Sequence, residues 1–468
     1  MTQTTALLMT EQIVVHVGLV GHIDHGKTAL AAVLSEGVFT AGLDKHPQAR
    51  ERGITIDLGF TMFRLDKYVV TLVDAPGHAD LIRSVVAGAS IIDAAILTVA
   101  ADEGPKVQTG EHLIVLNSVG IDSLVVAITK TDLTDEERIN RVEAQTRFIV
   151  DDLDFAHVEY VRVSAKKRKG IGELRAALLR VLTPRPRNTG GPFLMPIDHA
   201  FSVKGHGTVV TGTVLRGEVS VGDETQLMPQ SSTARVRSIQ SFGVSRERAG
   251  AGDRVGINVP ELDSRHIVRG DYLCEPGTLS AASKFAIHFR KNRFYRYRVG
   301  TGMTVSAHFG MTAVTAKVYP VIIQNGKMIL TDGGLGDEFD MVLVSQKPVV
   351  AEVGMRVLVI RTDLGPTEMR IVGAGDITSV LQEAMVYRKR ERIGRVSRVR
   401  EHDVLVEGLA SRRERAVRLT GTIVKTAEGV QGRLGDPFGT RGVICATFSE
   451  PVTVGDTVIL ERLVEEEL

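Results

Sequence analysis

Gly21-His22-Ile23-Asp24-His25-Gly26-Lys27-Thr28 is the stretch that decides the fold of this chain. It follows an apolar run at 13–20 and opens a segment, 27–34, with helical spacing. That is the strand–loop–helix setting a G-x-x-x-x-G-K-T phosphate loop needs. In such a setting the loop's backbone N–H groups and the helix N-terminus converge on an anion. Lys27 adds a point charge for the β- and γ-phosphates of a nucleotide, and the Thr28 hydroxyl is placed to ligate Mg²⁺. His22, Ile23, Asp24 and His25 fill the loop, and the two histidines are expected to shape it rather than react.

Working outward, Val- and Ile-rich runs at 68–73, 94–100 and 124–129 read as buried parallel strands. Helical spacing at 107–119 and 134–152 lies between and beyond them, the latter with Thr134 and Glu137 as an expected capping box. This alternation predicts a doubly wound α/β sheet. Three further motifs fall at the C-terminal ends of its strands, where open α/β sheets bind ligands. In Asp74-Ala75-Pro76-Gly77-His78, Asp74 would reach the Mg²⁺ shell through water and the Gly77 N–H the γ-phosphate. His78 is the candidate for positioning the attacking water. In Thr129-Lys130-Thr131-Asp132 the carboxylate can accept from guanine N1–H and N2–H₂, a pattern that adenine does not offer. Ser164-Ala165-Lys166 can close over the base. These residues predict GTP and GDP as ligands and GTP hydrolysis as the reaction. Thr129 stands where guanine-specific sites usually have Asn, so an altered base affinity is expected while Asp132 keeps the specificity.

At 468 residues the chain is too long for one core, and its length suggests about three or four domains. The texture changes at the Pro- and Gly-rich segment 183–192, after which short β-branched runs between glycine turns signal small β-barrels. The expected architecture is an α/β P-loop GTPase domain at 12–184 followed by three β-barrel domains at 192–280, 283–377 and 386–468. A polar, basic lead-in to the last is expected around 386–400. Val-Gly-Asp recurs at 221–223 and 454–456, a hint that the first and last barrels are related. The formal net charge of +1 requires any nucleic acid to be met by local patches rather than by a global field. Two distant cysteines, Cys274 and Cys445, argue against a disulfide framework or a zinc ribbon. No secretory signal is visible in residues 1–10, and no apolar stretch approaches the roughly 20 residues needed to span a bilayer. A cytoplasmic monomer without membrane contact is expected.

G-H-I-D-H-G-K-T (21–28), R-G-I-T-I (52–56), D-A-P-G-H (74–78), T-K-T-D (129–132) and S-A-K (164–166) resemble the motifs of the translational GTPases. P-I-D-H-A-F (196–201) and G-T-V-V-T-G (207–212) look like the opening of the second domain of elongation factor Tu. The resemblance implies that R-G-I-T-I belongs to the effector segment, with Thr55 closing on Mg²⁺ and the γ-phosphate. The stretch from 28 to 55 would then order with GTP and loosen after hydrolysis. Within the superfamily the chain most resembles the selenocysteine-specific elongation factors of archaeal or eukaryotic type. The residues that carry this are G-I-T-I-D-L-G-F (53–60), D-A-P-G-H-A-D-L-I-R (74–83), E-G-P-K-V-Q-T-G-E-H (103–112), P-I-D-H-A-F and A-G-D-R-V-G (251–256). That family implies selenocysteinyl-tRNA and the ribosome as partners, and an arginine against the aminoacyl group. Where elongation factor Tu has an acidic pair and an asparagine, this chain has Asp198, His199 and Arg254.

The substitution makes chemical sense. A selenol is largely ionised at neutral pH, whereas a serine hydroxyl or a typical cysteine thiol (pKa about 8.5) is not. A pocket lined by Arg254 and His199 would favour the selenolate and leave a buried cation unpaired when serine enters. An ion pair between Asp198 and Arg254 inside the barrel is the plainer reading, and both can hold. In the C-terminal unit, Arg388, Lys389, Arg390, Arg392, Arg395, Arg398 and Arg400, followed by Arg412, Arg413 and Arg415, suit RNA phosphates or a solvated strand face. A messenger hairpin or its binding protein is a further candidate partner there. The basic and aromatic run at 289–298 reads equally as a tRNA grip or an alternating strand. A general aminoacyl-tRNA carrier would need neither the fourth unit nor Arg254. The gamma subunit of initiation factor 2 usually shows a cysteine-rich zinc insertion. The GTPase subunit of ATP sulfurylase would bind a protein and no tRNA, and a paralogue that has lost selenocysteine specificity would keep every motif above.

Overall fold

The structure is a computed structural model that describes residues 13–35, 37–38, 60–74, 86, 91–241, 243–333, 336–365 and 368–468. Its first sheet contains β1 (Ile13–Gly21), β2 (Gly37–Val38), β3 (Phe60–Leu65), β4 (Tyr68–Asp74), β5 (Ile92–Ala100), β6 (Ser123–Thr129) and β7 (His157–Arg162), in the order β2-β3-β4-β1-β5-β6-β7. Strands β4, β1, β5, β6 and β7 run parallel, and β2 and β3 pair antiparallel at the edge. Every residue of β5 and β6 is buried, because both faces of the sheet are covered, and this is why these strands read as continuous apolar runs. On one face Leu30 and Leu34 of helix Lys27–Leu34 and Leu174 and Leu178 of helix Ile171–Val181 pack on Val17 and Leu19. On the other, Leu113 and Leu116 of helix Val107–Ser118 and Val142 and Val150 of helix Glu136–Asp151 pack on Leu97 and Leu124. The expected Thr134–Glu137 capping box is not formed. Asp135 is the N-cap, its carboxylate accepting from the Arg138 N–H at 2.8 Å, since an ionised acceptor one residue later outcompetes the threonine hydroxyl.

The next strands, β8 (Leu194–Val203) and β9 (Gly207–Thr213), lie central in an eight-stranded sheet whose two ends share one core of Met195, Ile197, Val210, Leu227, Ile239, Val255 and Leu273. A β-bulge falls in β8: Ile197 pairs with Gly212 and His199 with Thr211, so Asp198 has no partner in the ladder. Beyond this comes a closed six-stranded barrel, in which strand Met303–Phe309 pairs both with Arg356–Ile360 and with Thr312–Gln324. Phe285, Phe289, Tyr295 and Phe309 fill it. In the run at 289–298 the strand ends at Lys291, Phe289 and Tyr295 are buried in the barrel core, and Tyr297 is exposed.

Two compact units result. The second comprises Pro320–Asp332 and Glu383–Leu468, and the first comprises the rest. In the second unit, strands Met385–Val399, Val404–Glu407, Val443–Phe448, Gln431–Phe438, Ile423–Thr426 and Thr457–Glu467 close into a ring around Val396, Val406, Leu434, Ile444, Val458 and Leu460. The basic stretch at 386–400 is no lead-in but nearly all of its longest strand. The hairpin 320–332 joins this unit through parallel pairing of Ile329 with Tyr387 and Leu330 with Arg388.

Candidate functional site

β1 ends at the phosphate loop, next to the point where strand order reverses from β4 to β5. Gly21 has φ 144, and a Cβ there would sit 2.5 Å from the Thr98 carbonyl oxygen, so only glycine lets the loop leave the strand. Lys27 donates from Nζ to the carbonyls of Gly21 and His22, both at 2.9 Å, folding its charge back over the loop. Gly26, at φ 86, is the N-cap of helix Lys27–Leu34 and offers no side-chain cap. The first turn carries no acid, so the helix's leading N–H groups and positive dipole end meet no anion of the helix's own. Thr28 is exposed at that end. The cradle fits a phosphate.

The loop histidines are held. His22 Nδ1 lies 2.6 Å from Gln108 Oε1 on the neighbouring helix, and the rings of His22 and His25 meet edge-on at 5.1 Å. His25 is buried with Nδ1 3.4 Å from the Thr98 carbonyl, and burial pushes its pKa down to about 4, so it is neutral. Ile23 and Asp24 are exposed, Asp24 at φ 62.

At the end of β6, the Thr129 hydroxyl donates to the His25 carbonyl at 2.8 Å. The departure from Asn thus has a structural job: it ties β6 to the phosphate loop. Lys130, at φ 55, places Nζ 3.5 Å from Asp102 and 3.6 Å from Glu103. Asp132 is exposed, and the buried Ser164 hydroxyl donates to it at 2.6 Å. That bond holds the Asp132 carboxyl below its usual range, so an exposed ionised acceptor stands at the end of β6. Ser164 also accepts from the Lys167 N–H at 3.1 Å, while Ala165 and the exposed Lys166 form the turn that follows. Thr55, Gly77 and His78 lie outside the described residues, as does the Asp74 side chain, whose backbone ends β4. Gln108 and Thr98 were not legible as site residues. Neither motif nor spacing marks them, and only the packing of the helix and β5 against the loop brings them in.

The barrel site is built on the bulge at Asp198. An unpaired extra residue re-aims its side chain. The Asp198 carboxylate accepts from Arg254 Nη1 with one oxygen and from the Thr211 hydroxyl with the other, and all three residues are buried. The ion pair allowed by the sequence is therefore present, and Thr211 is a member that sequence reasoning missed. His199, half-buried, faces Thr211 across the ladder. Arg254 begins its strand directly after the loop at 251–253, and that loop is anchored to the first domain. His16 of β1 meets the Gly252 carbonyl through Nε2 at 2.8 Å. Its backbone N–H donates to Asp93, a buried carboxylate that also takes the Arg185 N–H, both at 2.8 Å, and the Arg187 guanidinium. The Pro- and Gly-rich segment 183–192 is thus clamped through Arg185 and Arg187. A histidine inside the apolar run 13–20 was the one visible sign of it.

Three family models match the chain. The elongation factor Tu GTP binding domain matches residues 12–184, elongation factor Tu domain 2 matches 207–274, and domain III of the archaeal selenocysteine-specific elongation factor matches 279–380. The selenocysteine-specific elongation factor of Methanocaldococcus jannaschii is 38% identical over 96% of this chain and 97% of its own length. That of Mus musculus is 38% identical over 60% of this chain and 52% of its own. The crystal structure of translation elongation factor SelB from Methanococcus maripaludis in complex with the GTP analogue GppNHp superposes with a TM-score of 0.78. It is 38% identical and is matched over 96% of this chain and 98% of that one. The elongation factor Tu and selenocysteine-factor domain models, together with 38% identity over nearly the whole length of both chains, place the chain in the selenocysteine-specific elongation factor family, as a translational GTPase.

Proposed function

We propose that the chain, in its GTP form, carries selenocysteinyl-tRNA to the ribosome at recoded UGA codons, and that GTP hydrolysis triggers release. The observation that carries this reading is the buried guanidinium of Arg254, aimed by strand geometry at a bulged Asp198 in the second domain. An anionic selenolate suits such a cation, and a neutral serine hydroxyl does not. His199 completes the pocket in this reading. Gly21, His22, Ile23, Asp24, His25, Gly26 and Lys27 hold the phosphates, with Thr129 tying their loop to β6, and Lys130, Asp132, Ser164, Ala165 and Lys166 hold the base. Thr28, Thr55 and, through water, Asp74 would hold Mg²⁺, which supplies charge neutralisation at the phosphate oxygens. His78 orients the attacking water, and the Gly77 N–H meets the γ-phosphate. The segments 12–184, 192–280, 283–377 and 386–468 act as GTPase, aminoacyl, third and fourth domains of a cytoplasmic monomer. The arginine-rich strand Met385–Val399 offers the fourth domain to RNA phosphates, of a messenger hairpin or of the tRNA, or to a hairpin-binding protein.

The test compares binding of the GTP-loaded protein to one tRNA charged with selenocysteine or with serine, with and without Arg254→Ala. The expected result is a strong preference for the selenocysteine form that disappears in the variant. Equal binding of both by the unaltered protein would sink the pocket, and no tRNA binding at all would sink the carrier function.

A further inference from the structure

Asp198 puts an anion in the middle of a pocket read as a receptor for an anion. One oxygen of its carboxylate takes the Arg254 Nη1, a contact for which a selenolate would compete, and both partners are buried. The pair has a physical reason: a buried guanidinium without a counter-charge is strongly unfavourable, so an empty pocket must supply one. The other Asp198 oxygen accepts from the Thr211 hydroxyl. Thr211 is fixed by two ladders, opposite His199 on β8 and opposite Gly256 on strand Arg254–Asn258, while the bulge leaves Asp198 outside the β8–β9 pairing.

We propose that Asp198 is a built-in stand-in for the anionic aminoacyl side chain, and that Thr211 is the positioning residue that lets it give way. This rests on the aminoacyl-pocket reading above. When a selenolate competes for the Arg254 N–H groups, Asp198 loosens its hold on the guanidinium and keeps the Thr211 hydroxyl, which offsets part of the cost of opening the pair. A serine hydroxyl cannot make the exchange, because swapping a carboxylate for a neutral acceptor on a buried guanidinium forfeits the charge pairing. A cysteine thiol, mostly protonated at neutral pH, is rejected for the same reason. Selectivity then comes from displacement: only a ligand that brings its own negative charge can open the Asp198–Arg254 pair.

The test uses the full-length, GTP-loaded protein and the dissociation constants of selenocysteinyl- and seryl-forms of one tRNA. Thr211→Val should weaken the selenocysteinyl form by about tenfold to a hundredfold, the range expected for one hydrogen bond to a charged group, and leave the seryl form unchanged. Thr211→Ser, which keeps the hydroxyl, should restore wild-type discrimination. Asp198→Asn, which removes the competing charge, should bind the selenocysteinyl form at least as tightly as wild type. Equal weakening of both forms by Thr211→Val would show a merely structural role and overturn the proposal, as would an unchanged selenocysteinyl affinity in Thr211→Val or a weakened one in Asp198→Asn. If the unaltered protein binds both forms alike, the pocket reading fails first and takes this inference with it. If it discriminates and Thr211→Val discriminates equally, this inference alone fails.

Discussion

Thr129 and Asp132 stand three residues apart and make contacts of different kinds. Asp132 is exposed and accepts from the Ser164 hydroxyl, whereas Thr129 faces inward and donates to the His25 carbonyl. The expectation that threonine at 129 alters base affinity therefore becomes a statement about the phosphate loop. Thr129→Val keeps the shape and strands a buried carbonyl, at a cost of about 1–3 kcal/mol. GDP affinity should fall by about tenfold through a displaced loop, while preference for guanine over adenine stays intact, as a fluorescent-nucleotide titration would read. Thr129→Asn, which can donate the same bond, should bind GDP like the unaltered protein. If Thr129→Val left GDP affinity unchanged, the tie between β6 and the loop would carry no weight.

At the scale of elements, β1 serves two sites: its end opens the phosphate loop, and its interior His16 holds the loop before Arg254. Burial pushes His16 down to about 4 from 6.5, as it does His25. Each therefore stays neutral in the folded protein over a range where the unfolded chain takes up a proton. Their contribution to stability is complete above pH 6.5 and is lost progressively as pH falls from 6.5 to about 4. Urea midpoints measured across that window should decline with falling pH, and His16→Gln, which has no proton to bind, should flatten part of the slope. An unchanged slope would mean that His16 titrates normally. Turns show a related economy. In Val-Gly-Asp at 221–223 and 454–456 the aspartate accepts the N–H three residues back at 2.7 Å beside a left-handed glycine, and Gly252-Asp253 and Gly270-Asp271 do the same at 2.9 Å. The repeat that hinted at related barrels is a recurring turn.

For the whole molecule, the division into two units predicts two unfolding events, since each has its own core. Ile444→Ala removes a fully buried side chain from the second unit at a cost of about 2–5 kcal/mol. Calorimetry of the full chain should show one transition moved down and the other unmoved. A single transition shifting as a whole would contradict the division.

The sequence by itself determined the nucleotide, the order of the domains and the α/β-then-β architecture. These rest on local signals: glycine where the backbone turns, a lysine and a threonine at a helix start, acids at strand ends, and period-two runs between turns. Only the tertiary structure decided what joins these parts. The ion pair of Asp198 with Arg254, the Thr211 hydroxyl beside it, Gln108 on His22, the clamp of His16, Asp93 and Arg187, and the hairpin 320–332 on the last barrel each link residues far apart in the chain. Periodicity and motif spacing report what a residue meets within a few positions of itself. A hydrogen bond across domains depends on how strands are ordered and where a bulge turns one side chain, and that is settled only when the sheets close.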